Sequence, residues 1–160
     1  MKKQNKIYLA LYKGHGGDLW DKVTDAVIRL FTWSRYSHCE IAVEMDDGKF
    51  LCYSSSPRDN GVRNKIMPLP SEKWDLIDIS SLITAKQVRE YFVKTWQARY
   101  DVQGALGVAL KIKEDKSKFF CSEWCYNVIF NRDDGFQYSP KDLGEAVKAR
   151  LKNSKHIMGQ

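Results

Sequence analysis

The chain has 160 residues, of which 43% are hydrophobic and 12% aromatic, and carries a net charge of +6. That length fits one domain with a core of its own, and the apolar content excludes wholesale disorder. A mild basic excess suits an anionic partner, but the lysines and arginines are scattered, and the densest run, KIKEDKSK (111–118), also holds Glu114 and Asp115. With no finger spacing and no glycine-rich phosphate loop, the pattern argues against a nucleic-acid binder.

KIYLALYK (6–13) predicts a first strand. The lysines before it imitate a signal peptide, but the apolar run falls short of the ~7–15 residues such a peptide needs. No segment reaches the ~18 apolar residues of a membrane span. A soluble, cytoplasmic protein is therefore expected, with Cys39, Cys52, Cys121 and Cys125 as reduced thiols. Gly14, Gly16 and Gly17 make a loop around His15, and Asp18 suits the N-cap of a helix over 19–32. HCEIAVEM (38–45) and KFLCYSSS (49–56) predict a hairpin, with Asp47-Gly48 as a two-residue turn. That turn pairs Val43 with Cys52 and Ile41 with Ser54. It places His38, Glu40, Ala42, Tyr53 and Ser55 on one face. PRDNG (57–61) reads as a loop, GVRNKIMPL (61–69) as a short strand and WDLIDIS (74–80) as another strand.

Thr84 then suits the cap of a helix over 85–99, GALGVAL (104–110) reads as a short helix or buried loop, and 119–131 reads as a helix. Ser139-Pro140 opens a last helix over 140–152. Strands first and helices later predict an α+β fold, with one domain spanning 1–160.

KFFCSEWCYNVIF (118–130) places Cys121 where an apolar helix begins. A helix start offers unpaired N–H groups and the positive end of the dipole, and both favour a thiolate. The same N–H groups suit an oxyanion, with Ser122 as a further donor. A small core residue at a helix start is the competing reading. Cys125, one turn on beside Ile129, reads as core. A nucleophilic thiolate needs a base. His156 lies in a polar tail and His15 in a loop, so His38 is the best placed of the three histidines. Glu40, two residues along the strand, can orient the imidazole. Zinc on His38, Cys39, Cys121 and Cys125 has the right atoms, but adjacent strand residues point to opposite faces and no C-x-x-C pair is present. No metal or cofactor is expected.

Ser37-His38 followed by an apolar strand, and later Phe120-Cys121-Ser122-Glu123 at a helix start, resemble the circularly permuted papain-like cysteine hydrolases, the permuted branch of the NlpC-type amidases. The lecithin-retinol acyltransferase group is a more distant relative. The order of histidine strand, second strand and cysteine helix is that of the permuted branch. Tyr100-Asp101 and Tyr138-Ser139-Pro140 also fit, so the resemblance spans about 6 to 145. It implies an antiparallel sheet packed against helices, Cys121 as nucleophile and His38 as base. It departs at the third member. Relatives carry an orienting Glu or His on the strand after the histidine strand, where this chain has Tyr53, Ser54 and Ser55. Glu40, Tyr53, Ser54 and Ser55 all stand as candidates for that role.

The expected activity is that of a cysteine hydrolase or acyltransferase working through an acyl-enzyme on an amide, ester or thioester. Its substrate would be a small molecule, a peptide or a lipid-like acyl compound. Ser122, Tyr53, Ser55 and Arg58 are candidates for oxyanion or substrate contacts, and Arg63 and Lys65 for meeting a substrate carboxylate. The alternative is a scaffold without catalysis that binds a partner through Trp33, Tyr36 and the SSSPRDNG loop.

Overall fold

The computed structural model describes residues 5–13, 35–107 and 117–158, without the side chains of 106, 107 and 155–158. Among them are strands β1 (Ile7–Tyr12), β2 (His38–Glu44), β3 (Phe50–Ser56), β4 (Gly61–Met67) and β5 (Trp74–Asp78). The helices are α1 (Ala85–Thr95), α2 (Val102–Gly107), α3 (Cys121–Phe130) and α4 (Pro140–Met158). The fold is α+β. The five strands form one antiparallel sheet in the order β4-β3-β2-β1-β5. The expected helix over 19–32, the His15 loop and Trp33 lie outside the described residues.

Alternation along the strands sorts the side chains onto two faces. Ile7, Leu9 and Leu11 of β1, Cys39, Ile41 and Val43 of β2, and Tyr53 of β3 pack against the helices, in one core with Trp124, Cys125, Leu143 and Val147. On the opposite face, Ala10, Ala42, Cys52 and Leu69 form a smaller cluster with Phe50, Met67 and Trp74. β2 lies inside the sheet with both faces covered, which is why Glu40 is only 1% exposed.

The β2–β3 hairpin departs from the predicted two-residue turn. Ile41 faces Tyr53, Ala42 faces Cys52 and Val43 faces Leu51. The loop is Asp46-Asp47-Gly48, closed by Met45 N–H on the Lys49 carbonyl at 2.9 Å and Gly48 N–H on the Met45 carbonyl at 3.1 Å. Gly48 has φ 78°, the left-handed position that a three-residue hairpin loop needs. The extra loop residue shifts the register by one. Tyr53 and Ser55 thereby move to the helix side, away from the face that His38 and Glu40 share.

The helix ends follow their local chemistry. Thr84 and Gln87 form a capping box on α1, with Gln87 N–H on Thr84 Oγ1 at 3.2 Å and Thr84 N–H on Gln87 Oε1 at 2.9 Å. α1 stops at Thr95, short of the expected residue 99, because Gln97 turns the chain with φ 71°. Ser139 caps α4 with Asp142, and Pro140 takes the first helical position. α3 is buried from Cys121 to Ile129, an interior helix whose Ser122, Glu123 and Asn127 are buried polar residues among apolar ones. Among the described residues no helix is long and apolar enough to cross a membrane.

Candidate active site

Cys121 is the first residue of α3. The first hydrogen bond of that helix runs from Trp124 N–H to the Phe120 carbonyl at 3.1 Å. The N–H groups of Cys121 and Ser122 therefore precede the hydrogen-bonded ladder, at the positive end of the helix. α3 lies across β2 in the main core, and this packing brings its first turn to the start of the strand that carries His38. His38 and Cys121 lie close enough that each shifts the other's ionisation toward the charged form.

The far side of the imidazole is held by Glu40, whose Oε1 lies 2.7 Å from His38 Nε2. That contact engages Nε2 and fixes the plane of the ring. Glu40 is gripped in turn by Arg63. Nη1 donates to Oε2 at 2.5 Å and Nη2 donates to Oε1, a two-pronged arrangement. Arg63 Nε donates to Asp59 at 3.1 Å, and Lys65 donates to the same carboxylate at 2.5 Å. The ladder explains the chain, because Ser54 on β3 faces Arg63 on β4 and the arginine reaches along the sheet face to Glu40.

The electrostatics follow from this geometry. Burial pushes Glu40 up, but the Arg63 charge and the His38 hydrogen bond outweigh it and lower the carboxyl from 4.5 to about 2. Burial pushes His38 down, but the Cys121 charge and the bonds to Cys121 and Glu40 raise it from 6.5 to about 10. A hydrogen bond from Cys39 holds Cys121 well below the ordinary thiol value, against burial and with the help of His38. Cys39 itself is pushed up by burial and stays the protonated donor. The favoured state is a thiolate–imidazolium pair between a thiol donor and a carboxylate.

The other predicted positions fall elsewhere. Ser122 donates its hydroxyl to the Tyr138 carbonyl at 2.7 Å, so it ties down the start of α4 and leaves no side-chain donor for an oxyanion. Tyr53 packs edge-on against Phe92 on the helix side. Ser55 donates to the Phe119 carbonyl at 2.6 Å, and Ser54 to the Cys39 carbonyl at 2.8 Å. All three are held in structural bonds or packing, which leaves Glu40 as the side chain on the imidazole. Arg58 stands exposed at the rim of a pocket that also reaches His38 and Glu40. Arg63 and Lys65 are engaged by carboxylates of the protein. Tyr36 donates to Asp75 at 2.6 Å. Cys125 is fully buried, as its position beside Ile129 predicts.

Sequence reasoning placed Arg63 among substrate contacts and did not foresee its hold on Glu40. The alternation of Arg63 and Lys65 along β4 was the available signal, but only the register shows which carboxylate they meet. It also did not single out Cys39 as a donor to Cys121. Tyr100, whose hydroxyl is pushed up first by burial and then by the Cys121 charge, was noted only through the family resemblance. Among the described residues no three His, Cys, Asp or Glu side chains are grouped to hold a metal ion. Comparison with models of protein families, with curated proteins and with solved structures finds no match to this chain.

Proposed function

We propose that the protein is a cysteine hydrolase or acyltransferase of permuted papain-like type, acting on an amide, ester or thioester. The observation that carries this reading is the line Cys121–His38–Glu40, with the cysteine at a helix start and the imidazole fixed by a buried carboxylate. The order β2, β3, α3 supports the permuted fold, and four free cysteines suit a reducing, cytoplasmic setting.

The Cys121 thiolate attacks the carbonyl carbon of the substrate. The oxyanion that forms is met by the N–H groups at the start of α3. Collapse breaks the bond to the leaving group, which takes the proton from the His38 imidazolium. Water or another acceptor then gives a proton to neutral His38 and attacks the thioester. The acyl product leaves, and the proton on His38 restores the ion pair with the thiolate. Glu40 keeps the ring oriented and favours its charged form throughout.

A second reading, a binding protein on the same scaffold, draws on one observation. Cys121 is 1% exposed and does not line the pocket that reaches His38. One experiment separates the two. Iodoacetamide alkylation is followed against pH for each cysteine by mass spectrometry, in wild type and in His38→Ala, and p-nitrophenyl acetate is then offered as an acyl donor. The hydrolase reading expects Cys121 to react well below the ordinary thiol range, to lose this in His38→Ala, and to carry an acetyl group after the ester. A Cys121 as slow as Cys52, with no acetyl adduct, overturns it in favour of the binding protein.

A further inference from the structure

The sheet face away from the helices carries a pocket of about 400 Å³. Its apolar side is built from Tyr12 and Trp74, with ring centroids 5.0 Å apart, and from Met67, Pro68 and Pro70. Trp74 also meets the edge of His38, with centroids 6.5 Å apart. The volume sits near the lower end of the ~300–1,000 Å³ range of ligand pockets, which suits one small ring system rather than a peptide or a lipid chain.

The polar lining has a definite sign. Among the described lining residues, Arg63, Lys65 and Lys73 contribute three positive charges and Glu40 and Asp59 two negative, so three minus two leaves +1 before His38 and Arg58 are counted. Neither carboxylate is available to a ligand, because Arg63 and His38 take Glu40, and Arg63 and Lys65 take Asp59. Lys73 makes no ion pair with a described residue, and the Tyr12 hydroxyl and the Trp74 indole N–H have no hydrogen-bond partner among the described residues. The lining thus offers aromatic surface, uncommitted donors and excess positive charge. A ligand cation would be repelled there, and a neutral ring would leave the charge unanswered.

We propose that this pocket binds a small aromatic carboxylate, its ring against Tyr12 and Trp74 and its carboxylate toward Lys73. The site goes beyond the hydrolase reading, since binding here requires no reaction at Cys121.

The test is a calorimetric titration of the full chain with 2-naphthoate and with neutral 2-naphthamide, in wild type, Lys73→Glu, Trp74→Ala and Lys152→Glu. Lys73 is exposed, so Lys73→Glu spares the fold. Lys152→Glu, on exposed α4 surface, makes the same change in net charge on a helix that packs on the other face of the sheet. The expected results are saturable naphthoate binding, naphthamide binding about ten-fold weaker, a loss of about five-fold or more in Lys73→Glu, and none in Lys152→Glu. A larger loss is expected in Trp74→Ala. Absence of saturable binding overturns the proposal. So does equal affinity for the amide, or equal weakening by Lys152→Glu, which would assign the attraction to net charge alone. If Trp74→Ala does not fold, Lys73→Glu and the amide still decide.

Discussion

Glu40 Oε1 is shared between two cationic groups, His38 and Arg63, and the carboxylate stays ionised although it is 1% exposed. Arg63 is therefore a positioning residue for the imidazole. Replacing it by Met leaves burial opposed by His38 alone. Glu40 then protonates more readily, the imidazolium loses support, and the alkylation midpoint of Cys121 moves up in pH. Arg63→Lys keeps the charge and gives up the two-pronged grip, so it should move the midpoint less. A purely structural role for Arg63 would lower stability without moving the midpoint, and pH-resolved alkylation distinguishes the two. A second residue tests the other side of the thiolate. Cys39→Ala removes the hydrogen bond that most favours Cys121 as a thiolate, and the midpoint should rise by about one pH unit. Cys39→Ser, which keeps a donor, should restore most of the loss. An unchanged midpoint in Cys39→Ala would assign the acidity to His38 and the helix start instead.

Element by element, the sequence was most legible where one local signal sufficed. Thr84 with Gln87, Ser139 with Asp142, and Pro140 each announce a helix start, and the strands alternate visibly. The hairpin was misread because Asp-Gly marks a turn without fixing its length. Asp46 joined the loop, and that single residue moved Tyr53 and Ser55 to the other face. The site was half legible for the same reason. His38 and Glu40 sit two apart on one strand whatever the register, whereas the Arg63 contact exists only once β3 and β4 are paired correctly. Close packing around α3 was not legible at all. A Cβ on Gly135 would lie 2.5 Å from Asn127 Oδ1 and 2.7 Å from the Glu123 carbonyl, and Asn127 Oδ1 accepts the Gly135 N–H at 3.0 Å. Gly135→Ala should therefore cost about 1–3 kcal/mol, because backbone and a buried amide must both shift. The urea midpoint checks this, and an unchanged midpoint would mean that the turn relaxes freely.

Across the whole molecule, the helix layer supplies Cys121 and an inner strand supplies His38 and Glu40, so folding and the charge state of the site are linked. Glu40 falls from 4.5 when unfolded to about 2 when folded. A lowered carboxyl stabilises the fold fully above 4.5, and that contribution is lost as pH falls through about 2. The shift corresponds to about 3 kcal/mol. His38 has the opposite sign. Raised from 6.5 to about 10, it stabilises fully below 6.5 and loses that contribution as pH rises through 10. The fold should therefore weaken at both ends of the pH scale for reasons rooted in one line of side chains. Glu40→Gln is less stable at neutral pH, since Arg63 and His38 lose their carboxylate. Its deficit relative to wild type should shrink as the solution is acidified from pH ~5 to ~2, because wild type loses the same interaction by protonation. Urea unfolding across that range measures the difference directly. A deficit that stays constant would mean that Glu40 is neutral in the fold, and with it the carboxylate support for the His38–Cys121 pair would fall.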